Sequence, residues 1–139
     1  MKRILVSTLT LLLLGSGCLH AEGVNKAIQF QKGKTSATVS GIVVRGDTDR
    51  YTIVAKQDQT MTVALTSKEK NAALTIYAPG YSVTQEDGVS IIAGETLAGA
   101  GEGEDAAGWS GILPASGKYL IDVGGTRGNA SYKMTVTIQ

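Results

Sequence analysis

Imidazole and thiol groups carry most acid–base, nucleophilic and transition-metal chemistry in proteins. They occur once each in this chain of 139 residues, as His20 and Cys18, in or at the end of an apolar leader. For polar chemistry the rest of the chain holds carboxylates, amines, guanidiniums, hydroxyls and phenols. Hydrolysis by carboxylates alone is chemically open to such a set, but no spacing singles out a catalytic pair, so the expectation is a protein that binds rather than one that catalyses, with no cofactor. Gly101-Glu102-Gly103-Glu104-Asp105, with Asp47 or Asp49, offers oxygen ligands of the kind calcium takes. It matches no established calcium loop and reads as a solvated acidic loop, so no metal is assigned. Arg45-Gly46-Asp47 and the sequon Asn129-Ala130-Ser131 are short enough to arise by chance.

The leader fixes the compartment. Lys2 and Arg3 precede an apolar core from Ile4 to Leu14, closed by Gly15-Ser16-Gly17. That is the pattern of a bacterial secretory signal and too short for a membrane span. Leu19-His20-Ala21 is an acceptable cleavage site, giving a signal peptide over 1–21 and one domain over 22–139 in the periplasm. The alternative is an outer-membrane lipoprotein anchored through Cys18, although Gly15 stands where a lipobox carries leucine.

A single domain of this size buries roughly two thirds of its unfolded surface in one core. The chain has 13 basic residues, two of which leave with the leader, against 12 acidic ones. Nucleic-acid binding needs a clustered positive surface to neutralise phosphates, and none is visible, so no nucleic acid is expected as a partner.

Period-two alternation recurs along the chain, with turn residues between the runs and no sustained helical stripe. Ala37, Val39, Gly41 and Val43 share one face, and Tyr51, Ile53 and Ala55 continue it after a polar turn at 45–49. Met61, Val63 and Leu65 come next, then Leu74, Ile76 and Ala78 up to Pro79-Gly80. Tyr119, Ile121 and Val123 lie after the turn Pro114-Ala115-Ser116-Gly117. A hairpin loop at 124–129 leads to the clearest strand, with Tyr132, Met134, Val136 and Ile138 on one side. The expected fold is all-β: a two-sheet, jelly-roll-like sandwich of seven to nine short antiparallel strands, which protects faces and edges that a single sheet leaves open. Residues 81–108, rich in glycine and acidic groups, read as a short strand at Val89–Ala93 followed by a long loop, either solvated or part of a binding surface. Trp109 at its end is a core anchor or an exposed aromatic.

Several stretches resemble the periplasmic inhibitors of g-type lysozyme: Phe30 to Gly41, Gly46-Asp47-Thr48-Asp49-Arg50-Tyr51-Thr52, Leu113-Pro114-Ala115-Ser116-Gly117-Lys118-Tyr119, and Thr126-Arg127. The first two are also similar to bacterial pre-peptidase C-terminal β-sandwich domains. The resemblance covers about residues 27–138. It implies an exported sandwich that occupies a lysozyme cleft and protects peptidoglycan, with g-type lysozyme as the favoured partner. Partner-binding residues implied in this way are Arg127, Thr126, Ser116, Lys118, Tyr119, Asp47 and Asp49. Arg127 leads, because it sits on a Gly-flanked tip and arginine pairs with carboxylates through two parallel hydrogen bonds. Each has a structural alternative: Tyr119 caps the core, and Asp47 and Asp49 satisfy turn backbone. The competing function is a secreted module binding carbohydrate or cell-wall polymer through Trp109, Tyr77 and Tyr81, with or without calcium.

Overall fold

The computed structural model describes residues 23–139; the leader, with Cys18 and His20, lies outside the described residues. Ten strands succeed one another: β1 (Asn25–Ala27), β2 (Ser36–Val43), β3 (Thr48–Ala55), β4 (Thr60–Ser67), β5 (Ala72–Tyr77), β6 (Ser82–Glu86), β7 (Val89–Ala93), β8 (Gly108–Ile112), β9 (Gly117–Gly125) and β10 (Ala130–Ile138). They build one four-stranded sheet in the order β1-β3-β9-β5, a second in the order β2-β10-β4-β8, and the separate ribbon β6-β7.

The alternating residues do what their period requires. Met134 and Val136 of β10 point inward and are fully buried, paired with Leu65 and Val63 of β4 on the same side of the sheet. Burying an aliphatic side chain of this size stabilises by roughly 1.5–3 kcal/mol, so the inner faces of β4 and β10 supply much of the core. Ile121 and Val123 of β9 answer from the other sheet, where β9 pairs with β3 and β5.

Three expectations need correction. The strands number ten, and β1 runs parallel to β3 rather than antiparallel. Residues 82–86 form a strand that pairs with β7; Ser, Thr, Gln and Glu dominate it, and all five residues are exposed, so no hydrophobic alternation marks it. The segment 94–107 is a built edge. Backbone bonds tie Ala78 N–H to Glu95 O, Leu97 N–H to Ile76 O, Ile76 N–H to Ala100 O and Leu74 N–H to Ala106 O. The outer side of β5 is thereby covered, and the orphan donors and acceptors of an edge strand are satisfied. Leu97 and Ala100 enter the core.

Trp109 closes this segment. Its indole N–H donates to Ala98 O at 2.9 Å. Glycine permits the ring to lie where it does, since a Cβ on Gly111 would come within 2.8 Å of it. Trp109 is therefore the core-side anchor of its two readings, packed against the hydrophobic cluster.

Candidate partner-binding site

β9 separates the residues expected to meet a partner into two groups, because the turn before it and the hairpin after it lie at opposite ends of the sandwich. At the near end, Ser116 Oγ accepts the Gln57 N–H at 2.8 Å. The Tyr119 hydroxyl donates to Ala115 O at 2.6 Å and its ring is fully buried. Gly117 has φ 142°, and a Cβ there would come within 2.8 Å of the Pro79 ring. This turn is a structural closure in which Lys118 and Ser116 both stay exposed. Tyr119 as a surface contact is corrected: the period-two register of β9 turns it inward.

Asp49 is corrected as well. It is 2% exposed; its Oδ1 accepts the Val24 N–H at 2.8 Å and its Oδ2 accepts the Tyr132 hydroxyl. Both oxygens are engaged inside the fold, which removes it from any cation site with 101–105. In that stretch Glu104 folds back onto the Gly101 N–H. Among the described residues no three acidic or metal-ligating side chains come close enough together to hold a metal ion.

The far end brings Thr126, Arg127 and Asp47 together. Three turns meet there: 44–47, 67–71 and the hairpin 126–129. The first closes with Asp47 N–H on Val44 O at 3.0 Å around Gly46, whose φ is 86°. It joins the hairpin through the Arg45 N–H, which donates to Asn129 Oδ1 at 2.8 Å. On the other side stands Asn71, 3% exposed. Its side-chain amide donates to Arg127 O and to Asn129 O, each at 3.0 Å. Its backbone carbonyl accepts the Thr126 N–H at 2.8 Å. The Arg127 guanidinium donates through Nη2 to Glu69 O at 3.0 Å. Gly125 is required by close approach, since a Cβ there would lie 2.6 Å from Gly128 O.

The hairpin tip is thus exposed yet braced from both sides. Arg45, Lys68, Lys70 and Arg127 lie on the three turns, with Glu69 among them and half-buried Asp47 at the margin. Sequence reasoning found Arg127 and Asp47 but missed this convergence, because Arg45, Lys68 and Lys70 lie far from Arg127 along the chain. It also missed Asn71, which no motif marks.

Behind the hairpin, Asp122 lies on the outer face of β9 in a hollow of about 310 Å³ shared with Glu102, Asp105 and Thr126. Burial raises the pKa of its carboxyl, opposed by a hydrogen bond from Thr48 and the charge of Arg50. Oδ1 has no protein partner. Of the three aromatics considered for sugar stacking, Tyr77 is 6% exposed, Tyr81 is half-buried and the Trp109 indole N–H is committed to Ala98 O.

Fold and site together define a small β-sandwich binding protein that presents a braced, cation-bearing loop tip. No family model matches the sequence. The chain belongs to the family of g-type lysozyme inhibitors: it is 33% identical over 125 residues to the inhibitor of g-type lysozyme of Escherichia coli strain K12, spanning 90% of this chain and 84% of that protein. The solved periplasmic inhibitor of g-type lysozyme from Aeromonas hydrophila is 36% identical and superimposes with TM-score 0.65 over 86% of this chain and all of that one. Its counterpart from Salmonella Typhimurium is 26% identical, with TM-score 0.59 over 84% of this chain and 99% of its own.

Proposed function

We propose that this protein is a periplasmic inhibitor of g-type lysozyme, exported by a leader ending at Ala21, which blocks the enzyme's cleft with the hairpin 126–129 and so protects peptidoglycan. It acts by occlusion, without catalysis. Family membership supports the target, and the braced exposure of Arg127 supports the contact. Lysozymes depend on a catalytic carboxylic acid in a concave cleft. A guanidinium on a narrow tip pairs with such a group through two hydrogen bonds while the hairpin backbone fills the groove. Arg45, Lys68 and Lys70 around the tip favour approach to an acidic cleft. Of the remaining expected contacts, Thr126 and Asp47 belong to this end. Ser116 and Lys118, at the other end of β9, fall outside a contact centred on the hairpin.

The test is titration of residues 22–139 and of Arg127→Ala into peptidoglycan turbidity assays with g-type, c-type and i-type lysozymes. Selective inhibition of the g-type enzyme, weakened at least about tenfold by the substitution as expected for an interfacial charge pair, is the expected result. Unchanged inhibition by Arg127→Ala removes the hairpin from the contact; no inhibition of any g-type enzyme removes the function.

A further inference from the structure

We infer that Asn71 is a positioning residue for inhibition, holding the hairpin 126–129 in its binding shape before the partner arrives; the inference rests on the proposed function. A buried asparagine usually satisfies its own turn. Here both amide hydrogens go to the opposite legs of a neighbouring hairpin, at Arg127 O and Asn129 O. Both acceptors are carbonyl oxygens, so the nitrogen and not the oxygen must face them.

The main chain of Asn71 completes the clamp. Its carbonyl takes the Thr126 N–H, and its N–H is fixed on Ser67 Oγ at 2.9 Å. Two residues earlier, Glu69 O receives the Arg127 guanidinium. One turn therefore directs the backbone and the side chain of the same arginine. Without that cradle, a segment containing Gly124, Gly125 and Gly128 would sample many conformations, and ordering it would weaken association. With it, the ordering is completed during folding.

The experiment compares wild type, Asn71→Ala, Arg127→Ala and the double variant in inhibition of one purified g-type lysozyme, with amide exchange at Thr126 measured in parallel. Asn71→Ala is expected to speed that exchange and weaken inhibition about tenfold, through loss of pre-organisation. In the Arg127→Ala background it should cost less than about twofold, because residues acting through one another are non-additive. A purely structural role would lower thermal stability without this coupling to Arg127.

Inhibition by folded Asn71→Ala within about twofold of wild type, or full additivity with Arg127→Ala, overturns the inference. Should Asn71→Ala not fold, Ser67→Ala removes only the acceptor that fixes the Asn71 N–H. Its expected cost is about threefold, again absent beside Arg127→Ala, and an unchanged inhibition constant overturns the inference in the same way. A wild-type protein that inhibits no g-type lysozyme defeats the functional reading. Inhibition that Arg127→Ala weakens but the Asn71 and Ser67 variants leave alone defeats the positioning role only.

Discussion

The hydroxyls of Tyr51 and Tyr132 meet 2.5 Å apart between the two sheets, their rings edge to face at 81° with centroids 6.4 Å apart. Tyr132 gives its single hydrogen to Asp49 Oδ2, so Tyr51 must be the donor to Tyr132. The relay runs from β3 to β10 and back to Asp49, and ends where Asp49 Oδ1 accepts the Val24 N–H. Gly41 leaves room for it, since a Cβ there would lie 2.6 Å from the Tyr132 oxygen.

Tyr132→Phe takes the acceptor from Tyr51 and a donor from the buried Asp49. Leaving buried polar groups unpaired costs about 1–3 kcal/mol, and urea denaturation should register a loss of that size. Full wild-type stability would mean that the relay contributes nothing net.

The same pair sets the response to alkali. Burial is the largest cause raising the pKa of both phenols above the ordinary value of 10.0, and for Tyr132 the hydrogen bonds to Asp49 and Tyr51 add to it. Below 10.0 both states hold these protons and the stabilisation is complete. Above it the unfolded chain releases protons that the fold retains, so stability falls as pH climbs toward the raised folded values. Thermal melts through the alkaline range should fall more steeply for wild type than for Tyr132→Phe.

Asp122 exerts its effect at the acidic end instead. Its carboxyl is raised from 3.8, chiefly by burial. Between 3.8 and the raised value the fold holds a proton that the unfolded chain has released, so stability declines as pH rises through that window. Asp122→Asn should therefore stabilise the protein at neutral pH and flatten its mildly acidic pH profile. An unchanged melting temperature and profile would count against this account.

Trp109→Phe keeps most of the ring packing and deletes the bond to Ala98 O. The net loss should be about 0.5–1.5 kcal/mol, concentrated in residues 94–107. Amide exchange at Leu97 and Ala100, whose N–H groups bond Ile76 O and Leu97 O, should accelerate more than exchange in β10.

How far the sequence announces this molecule depends on the range of the interaction concerned. Where one face of a strand meets the core, as in β4 and β10, the side-chain period is enough. β8 reads Gly-Trp-Ser-Gly-Ile and is held by pairing with β4, a relation between distant segments. Residues 94–107 look like solvent-facing loop because their hydrogen bonds run to β5, and composition records nothing of that. The site divides likewise: Arg127 is visible as a charge on a glycine-flanked tip, whereas Asn71 matters only through the 56 and 58 residues of chain separating it from the carbonyls it holds.

β10, the final strand, is also an interior one, lying between β2 and β4. A chain emerging N-terminus first from a ribosome or a secretion channel carries β2 and β4 without the piece that joins them. Half the sandwich stays open until Ile138 is free. The central pairings of the second sheet are therefore the last in chain order to become available, and the sandwich is completed by its final strand.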